Sequence, residues 1–453
     1  MTSTLGDVAA SLARSPDAIA EAQSAALRAM LALCARGHAY YRREWTGAGL
    51  DIASIRGLDD LARLPLTTKD ALMAEPEAFR LRLPDLPLEE RAIAEVIHTT
   101  GSTAMPTPVY NTTHDVLAYM FQARCMAAIA GLGEHDVIAN LFPLTPAPMG
   151  AFQRSAQNAF AIGAAIVSAL PGAPFGAFAI QRSLDEAVRL VALHRATVVW
   201  GVTSFVRRVL LRALELKADV TAVRLCAVAG EASSPALREE LRRLMRELGC
   251  AGQRVFDRYG STELGALAQC REDGPWHNPA PDLLHLAAVD AETGQPLPEG
   301  ERGWLALTHL NRRGTVLLRF LQGDVVAVER GRCPDCGRAG ERVVGPVVRA
   351  KDLVKVKGML INPAVLLEEL ARLPDLAEFQ VVVRRDNALA PDELVVRVAG
   401  RGGDELAMTA RVVAATRRAV GVSPRVECVA AGEIYDPARQ PKAVRFVDRR
   451  PAP

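Results

Sequence analysis

No charge of one sign dominates this chain. Lysine and arginine number 54 against 52 aspartate and glutamate, a formal net charge of +2, so no basic face is announced and a nucleic-acid partner is not expected. Cysteine is too sparse and scattered for a disulfide framework: there are eight in 453 residues, with Cys333 and Cys336 alone spaced as a CxxC. That usage fits a reducing compartment. Long apolar runs are missing too. The uncharged stretch from Ala159 to about Ile180 is broken by Gly163, Ser168, Pro171, Gly172, Pro174 and Gly176, so a buried strand followed by a loop is expected there rather than a membrane span. The N-terminus lacks a charged-then-apolar leader pattern, and a soluble cytoplasmic protein without a membrane partner is the expectation. Neither an internal repeat nor a low-complexity segment is seen. The length suffices for two or three domains with ample core.

What is present begins with a hydroxyl-rich loop. Thr99-Thr100-Gly101-Ser102-Thr103-Ala104-Met105-Pro106-Thr107 follows the apolar segment Ile93 to Ile97, which reads as a strand. Short hydroxyls, and backbone N–H groups brought close by a glycine without a side chain, can wrap phosphate oxygens without a buried positive charge. No Gly-Lys-Ser/Thr follows at the P-loop spacing, so this is not a Walker A loop. Taken alone, it also reads as an ordinary Ser/Thr-rich turn.

Alanine and leucine at helical spacing predict an amphipathic helix from Asp17 to Arg36, ended by Gly37. Tyr40-Tyr41-Arg42-Arg43 and Leu64-Pro65-Leu66-Thr67-Thr68-Lys69 read as scaffold, with a hydroxyl capping the helix after Pro65. From Ser183 to Tyr259 helix and strand patterns alternate. Ser183-Leu184-Asp185-Glu186 is a capping box, Ala196 to Trp200 a β-branched strand, Ser204 to Leu216 a helix and Leu225 to Ala229 a strand. Ser234 caps a helix with Pro235 first, and Arg254 to Phe256 begins another strand. Such alternation implies a largely parallel sheet with ligands beyond the carboxyl ends of its strands. Two polar signatures stand there: Gly230-Glu231-Ala232 and Tyr259-Gly260-Ser261-Thr262-Glu263.

From Leu284 the texture turns to short strands and turns, carrying Arg319 and the turn Gln322-Gly323-Asp324. Beyond Arg349 come strands at Phe379 to Val383 and Leu394 to Val398 and a helix from about Glu405 to Val420. That is a compact α+β segment of domain size.

In order and spacing these motifs resemble the adenylate-forming superfamily, and within it the phenylacetate-coenzyme A ligase branch. The likeness covers nearly the whole chain and extends to Gly323-Asp324, Arg349-Ala350-Lys351-Asp352 and Pro441-Lys442-Ala443-Val444-Arg445. The resemblance implies an α/β fold: a large N-terminal domain over 1–348 with parallel sheets and a small β-subdomain at about 284–348, then a mobile α+β C-terminal domain over 349–453. It implies ATP-dependent activation of a small carboxylic acid through an acyl-adenylate, then transfer to CoA, the acid being aryl or arylacetic. A carrier-protein thiol or an amine is the alternative acceptor. A catalytically weakened nucleotide-binding protein is a further reading. A homodimer is compatible with all of these.

Residue by residue, the resemblance makes Thr99, Thr100, Gly101, Ser102 and Thr103 the holders of the β- and γ-phosphates. Thr262 would donate to the α-phosphate and Glu263 would coordinate Mg²⁺, an ion that suits hard oxygen ligands. Gly230, Glu231 and Ala232 border the adenine, Tyr259 lies near its plane with Gly260 beside it, and Asp324 accepts from the ribose hydroxyls. Lys442 is the catalytic lysine, Arg349 contacts the nucleotide, Lys351 is the hinge, and Lys355 faces the site during thioester formation. Read by themselves, Glu263 is also a carboxylate favoured by a helix N-terminus, Asp324 an ordinary turn aspartate, and Lys351, Lys355 and Lys357 one solvated face of a strand. Ala104 and Met105 stand where the family commonly has glycine and lysine, and Pro441 where glycine precedes the lysine; these bear on rate or ATP affinity.

Cys270, His277, Cys333 and Cys336 form a candidate Cys₃His set for one structural Zn²⁺, because a CxxC supplies two thiolates from one tight turn. The other cysteines, Cys34, Cys125, Cys226, Cys250 and Cys428, read as core. Phe142, Met149, Phe152 and the stretch Trp200 to Thr203 are positional candidates for an acyl pocket, each with a core reading beside it.

Overall fold

The computed structural model describes residues 6–99, 106–143, 150–171, 182–230, 233–349, 354–356, 359–361, 363–385, 392–436 and 443–450. They belong to two compact units: 1–138, 144–166 and 256–347 form one, and 139–143, 167–255 and 348–453 form the other.

In the first unit Ser15 accepts from the Ala18 N–H and Pro16 opens the helix Pro16–Gly37, where the missing proline N–H costs no intrahelical bond. Ile19, Gln23, Leu27, Met30, Leu31 and Cys34 recur at helical spacing as its buried stripe. Length and composition alone would let this helix cross a membrane. Instead, Leu27, Met30, Leu31 and Cys34 join a core with Trp45, Phe79, Leu286, Leu305, Leu318 and Phe320. The two motifs read as scaffold do serve as scaffold. Tyr41 stacks on Trp45 at 5.4 Å between ring centroids and accepts the Leu318 N–H at 2.6 Å. Thr67 exchanges backbone bonds with Arg319 and Leu321 at 3.0 and 2.9 Å, and Thr68 caps the helix Lys69–Ala74.

A six-stranded sheet dominates the rest of this unit, in the order Ala268–Gln269, Trp276–His277, Arg342–Arg349, Phe320–Glu329, Arg302–His309, Leu284–Val289. One expectation changes here. Gln322-Gly323-Asp324 is not a turn but lies inside the strand Phe320–Glu329. Ala306 pairs with Leu321 whereas Trp304 pairs with Val325, so three residues oppose one in a bulge, with Gly323 at φ +86°. Bulges re-aim side chains, and this one holds Asp324.

A five-stranded sheet follows the order Ala165–Ser168, Val137–Asn140, Val198–Val202, Leu225–Ala229, Arg254–Asp257. Its strands Val198–Val202 and Leu225–Ala229 run parallel. All five residues of Val198–Val202 are buried, as continuous apolar runs in parallel sheets demand. The acyl-pocket reading of Trp200 therefore gives way to the core one, and Phe142 is buried too. Helices start where their caps stand: Ser183 and Glu186 make the reciprocal capping box, and Ser234 precedes Pro235. The strand expected after Ala159 differs. The helix Gly150–Ile162 takes the first residues, and Ala165–Ser168 is a half-exposed edge strand rather than a buried one.

Within the second unit, residues beyond 348 form a four-stranded sheet in the order Arg425–Cys428, Glu393–Gly400, Leu376–Arg384, Phe446–Asp448. The central pair is antiparallel and both outer pairs are parallel. The helices Pro363–Ala371 and Glu405–Val420 share its core through Leu366, Leu370, Met408 and Val412. A buried ionic hub joins this sheet to the helices Thr203–Leu216 and Pro235–Glu247. Arg207 donates to Glu378 at 2.9 Å, to Glu240 at 2.9 and 3.0 Å and to the Ala377 carbonyl at 2.9 Å, while Arg445 also binds Glu378. Cys34, Cys125, Cys226 and Cys250 are buried as expected; Cys428 is exposed, because its strand is an edge.

Candidate active site and metal cluster

Tyr259-Gly260-Ser261-Thr262-Glu263 folds as a tight hairpin. Gly260–Ser261 pairs antiparallel with Gly265–Ala266, so no helix begins at Glu263 and the helix-dipole reading of its carboxylate is overturned. The turn is closed by the Ser261 hydroxyl, which accepts the Leu264 N–H at 3.1 Å. Gly265 has φ +76°, and a Cβ there would collide with the Gln122 amide, so glycine is required. From outside, Gln122 donates to the Leu264 carbonyl at 3.5 Å and His309 meets the Glu263 carbonyl at 2.8 Å. Thr262 is half-buried in this turn. Glu263 is 5% exposed, and its Oε1 has no hydrogen-bond partner among the described residues. A buried carboxylate oxygen without a donor is costly unless a cation satisfies it. The residue thus fits a hard divalent ion such as Mg²⁺.

Two residues assigned to the nucleoside meet directly. The Tyr259 hydroxyl donates to Asp324 Oδ2 at 2.6 Å, a short, charge-assisted bond. Trp276 backs the Tyr259 ring at 5.9 Å between centroids and is itself fixed by its indole N–H on the Asp257 carbonyl at 3.1 Å.

The next residue, His277, belongs to the Cys₃His set. The Cys270, Cys333 and Cys336 sulfurs and the His277 ring nitrogen all lie within 4.8 Å of one another, and Cys336 Sγ is 3.7 Å from His277 Nε2. Tetrahedral zinc with bonds of about 2.3 Å to sulfur and about 2.0–2.1 Å to nitrogen places such a pair roughly 3.6 Å apart. The CxxC is a tight turn: Gly337 N–H donates to the Cys333 carbonyl at 2.9 Å and Cys333 N–H to that of Arg338 at 2.8 Å, with Gly337 at φ +71°. Burial, then the neighbouring thiols Cys336 and Cys333, push the Cys270 thiol up to about 12. Burial would also raise Cys336, but the Arg338 backbone amide and other nearby donors hold it below the ordinary thiol value. Burial, with the Arg342 and Arg338 cations, pushes His277 down to about 4; it is neutral, as a ligand must be. Donor set and spacing fit a closed structural zinc site.

Thr99 closes the base of the hydroxyl-rich loop, its N–H on the Thr107 carbonyl at 3.0 Å and its hydroxyl accepting the Thr107 N–H at 3.4 Å. Thr100, Gly101, Ser102 and Thr103 lie outside the described residues, as do Ala104, Met105, Met149, Glu231, Ala232, Lys351, Pro441 and Lys442. Gly230, exposed at φ +85°, follows the strand Leu225–Ala229. Arg349 ends one strand and Lys355 lies in the short strand Val354–Val356, each described by backbone alone.

Motif reading missed several buried groups. Glu341 accepts from Gln23 at 2.7 Å, His285 at 2.8 Å and Asn278 at 3.1 Å. Glu95, at the foot of the hydroxyl-rich loop, accepts from Gln153, Arg154 and Gln157 at 2.7 Å and from Asn111 at 2.9 Å. These carboxylates and His309 carry no local signal, since their partners are distant in sequence.

The parallel pair Val198–Val202 and Leu225–Ala229, the Tyr259–Asp324 bond and the buried Glu263 carboxylate open to a cation are features expected of an α/β enzyme that handles nucleotides. Residues 44–309 match the AMP-binding enzyme family. A phenylacetate-coenzyme A ligase of Thermus thermophilus is 27% identical over 368 residues, 79% of this chain and 77% of that protein. One of Escherichia coli K12 is 25% identical over 379 residues, 80% and 79% respectively. Among solved structures, 2-hydroxyisobutyryl-CoA ligase in the postadenylation state with 2-HIB-AMP superposes with a TM-score of 0.77 at 21% identity, covering 95% of this chain and 89% of that one. The chain belongs to the AMP-binding enzyme family, in its phenylacetate-CoA ligase-like branch. Its class is that of AMP-forming acyl-CoA synthetases.

Proposed function

We propose that this enzyme activates an aryl or arylacetic acid as the acyl-adenylate and passes the acyl group to CoA. The Tyr259–Asp324 bond carries the reading most: two residues 65 positions apart, both assigned to the nucleoside, are joined by a 2.6 Å hydrogen bond that Tyr259 donates. The choice of acid is supported by the relatives named phenylacetate-CoA ligases. In the first half-reaction a carboxylate oxygen attacks the α-phosphorus and pyrophosphate leaves. In the second a thiol attacks the acyl carbon and AMP leaves with that oxygen.

Such chemistry rests on positioning and charge neutralisation. Asp324 accepts from the ribose hydroxyls, oriented by Tyr259, while Gly230, Glu231 and Ala232 border the adenine. Thr99 to Thr103 hold the β- and γ-phosphates, Thr262 donates to the α-phosphate, and Glu263 would hold Mg²⁺, which supplies charge neutralisation at the phosphates. Lys442 bridges carboxylate and phosphate oxygens, and Arg349 contacts the nucleotide. With residues 1–348 as one domain and 349–453 as the other, Lys351 is the hinge and Lys355 serves thioester formation. One Zn²⁺ on Cys270, His277, Cys333 and Cys336 has a structural part: four protein ligands leave no position for a reactive water.

The test is carboxylate-dependent ATP–pyrophosphate exchange over a panel of acids, followed by offering CoA, a phosphopantetheinylated carrier protein and amines. Exchange with arylacetic acids and an acyl-CoA product are expected. Exchange with no acid overturns the reading, and transfer only to a carrier or an amine replaces the acceptor.

A further inference from the structure

His309 closes the strand Arg302–His309 and is buried. Its ring makes two bonds to backbone, and they settle its tautomer. The Leu317 N–H, a donor only, points at Nδ1 from 3.1 Å, so Nδ1 carries a lone pair. The ring proton is then on Nε2, which donates to the Glu263 carbonyl at 2.8 Å. The ring therefore clamps the main chain at the one residue of the hairpin whose buried Oε1 has no partner among the described residues. The Ser261 and Gln122 contacts bear on the next residue, Leu264; the His309 bond alone among these acts on Glu263 itself.

We propose that His309 is a positioning residue for the Glu263 carboxylate, and through it for the magnesium ion that accompanies ATP. The inference rests on the metal role given to Glu263 above. Groups that orient a metal ligand from behind set metal affinity without touching the ion. Here the clamp acts through the backbone. A carbonyl fixed by a buried N–H fixes the Cα of Glu263, and a turn with Gly265 at φ +76° has little other freedom to aim that side chain.

Two substitutions separate the bonds. In His309→Gln the side-chain amide N–H reaches the region of Nε2 and retains the donor to Glu263 while losing the Leu317 acceptor. In His309→Asn the amide oxygen stands near Nδ1 and retains the Leu317 bond while losing the one to Glu263. Mn²⁺ binding to the full chain with a non-hydrolysable ATP analogue, read by electron paramagnetic resonance, reports the ion directly. Thermal midpoints report the fold. The expected result is Mn²⁺ affinity weakened about tenfold or more in His309→Asn and within about threefold of wild type in His309→Gln, with the Mg²⁺ requirement of pyrophosphate exchange moving in parallel. Affinity that follows the thermal midpoint in both variants, or stays at the wild-type value in His309→Asn, overturns the proposal. Wild-type protein that exchanges pyrophosphate yet loses no Mn²⁺ affinity in Glu263→Gln overturns it through the ligand, leaving adenylation intact. Wild-type protein that shows neither exchange nor Mn²⁺ binding overturns the proposed function as well.

Discussion

The Tyr259 hydroxyl donates to Asp324 at 2.6 Å, joining the hairpin that carries Glu263 to the bulged strand Phe320–Glu329. The bond holds an acidic side chain ready for a diol and leaves the ring backed by Trp276. Hydrogen bonds to a charged partner contribute about 1.5–3 kcal/mol.

Asp324→Asn is therefore expected to raise the KM for ATP about tenfold or more and to lower the thermal midpoint modestly through the weakened Tyr259 bond, and Tyr259→Phe to raise the KM less. Steady-state kinetics at saturating acid test this. An unchanged KM in Asp324→Asn would remove the residue from the ribose.

Purified without added metal, the protein is expected to contain one zinc per chain. Stripping it should lower the thermal midpoint, since metal affinity is folding free energy. Cys333→Ser should destabilise more than it alters turnover, and a raised KM for ATP should accompany it because His277 adjoins Trp276, which supports Tyr259. Elemental analysis and calorimetry decide; active, stable, zinc-free protein would contradict the site.

Removing Arg207 leaves Glu378, 2% exposed, with Arg445 as its remaining cation. Breaking a buried ion pair from one side costs up to about 3–5 kcal/mol, and Arg445 offsets part of that here. Arg207→Ala should unfold at markedly lower denaturant, with early protease cleavage in residues beyond 348. Arg207→Met with Glu378→Met should recover much of the loss. A single variant as stable as wild type would show that the hub holds nothing together.

Burial pushes the Glu341 carboxyl up, yet hydrogen bonds from His285 and Gln23 outweigh it and hold the group below the ordinary carboxylate value. A depressed native value stabilises the fold above the unfolded value, and that stabilisation is lost as pH falls through the native one. The wild type should lose thermal midpoint on acidification below about pH 4 more steeply than Glu341→Gln, which has no carboxylate to protonate. Parallel midpoint curves would contradict the ionised form.

Local pattern made much of this legible. Capping residues at Ser183 and Ser234 and apolar runs at Ala196 to Trp200 and Leu225 to Ala229 declared the helices and strands of the five-stranded sheet, the first strand forming two residues later at Val198–Val202, because caps and periodicity act over a few residues. Cys270, His277, Cys333 and Cys336 were legible as chemistry, since few other roles want three thiols and an imidazole. The bulge at Gly323 was not, because register depends on the partner strand at Trp304 to Ala306. Glu263 kept a helix alternative until Gly265 closed a hairpin. His309, Glu95, Glu341 and Arg207 were silent: single polar residues whose meaning lies in partners 8 to 318 positions away. Cys428 misled, since burial depends on which strand forms the edge.

Passage of the acid through an acyl-adenylate is tested most directly by oxygen tracing. The protein is given ATP, CoA and an arylacetic acid labelled with ¹⁸O in both carboxylate oxygens, and the AMP is examined by mass spectrometry. Attack of a carboxylate oxygen on the α-phosphorus, then thiol attack on the acyl carbon, leaves one ¹⁸O in each AMP and one in the thioester. Unlabelled AMP, or label in inorganic phosphate or pyrophosphate instead, would contradict the account.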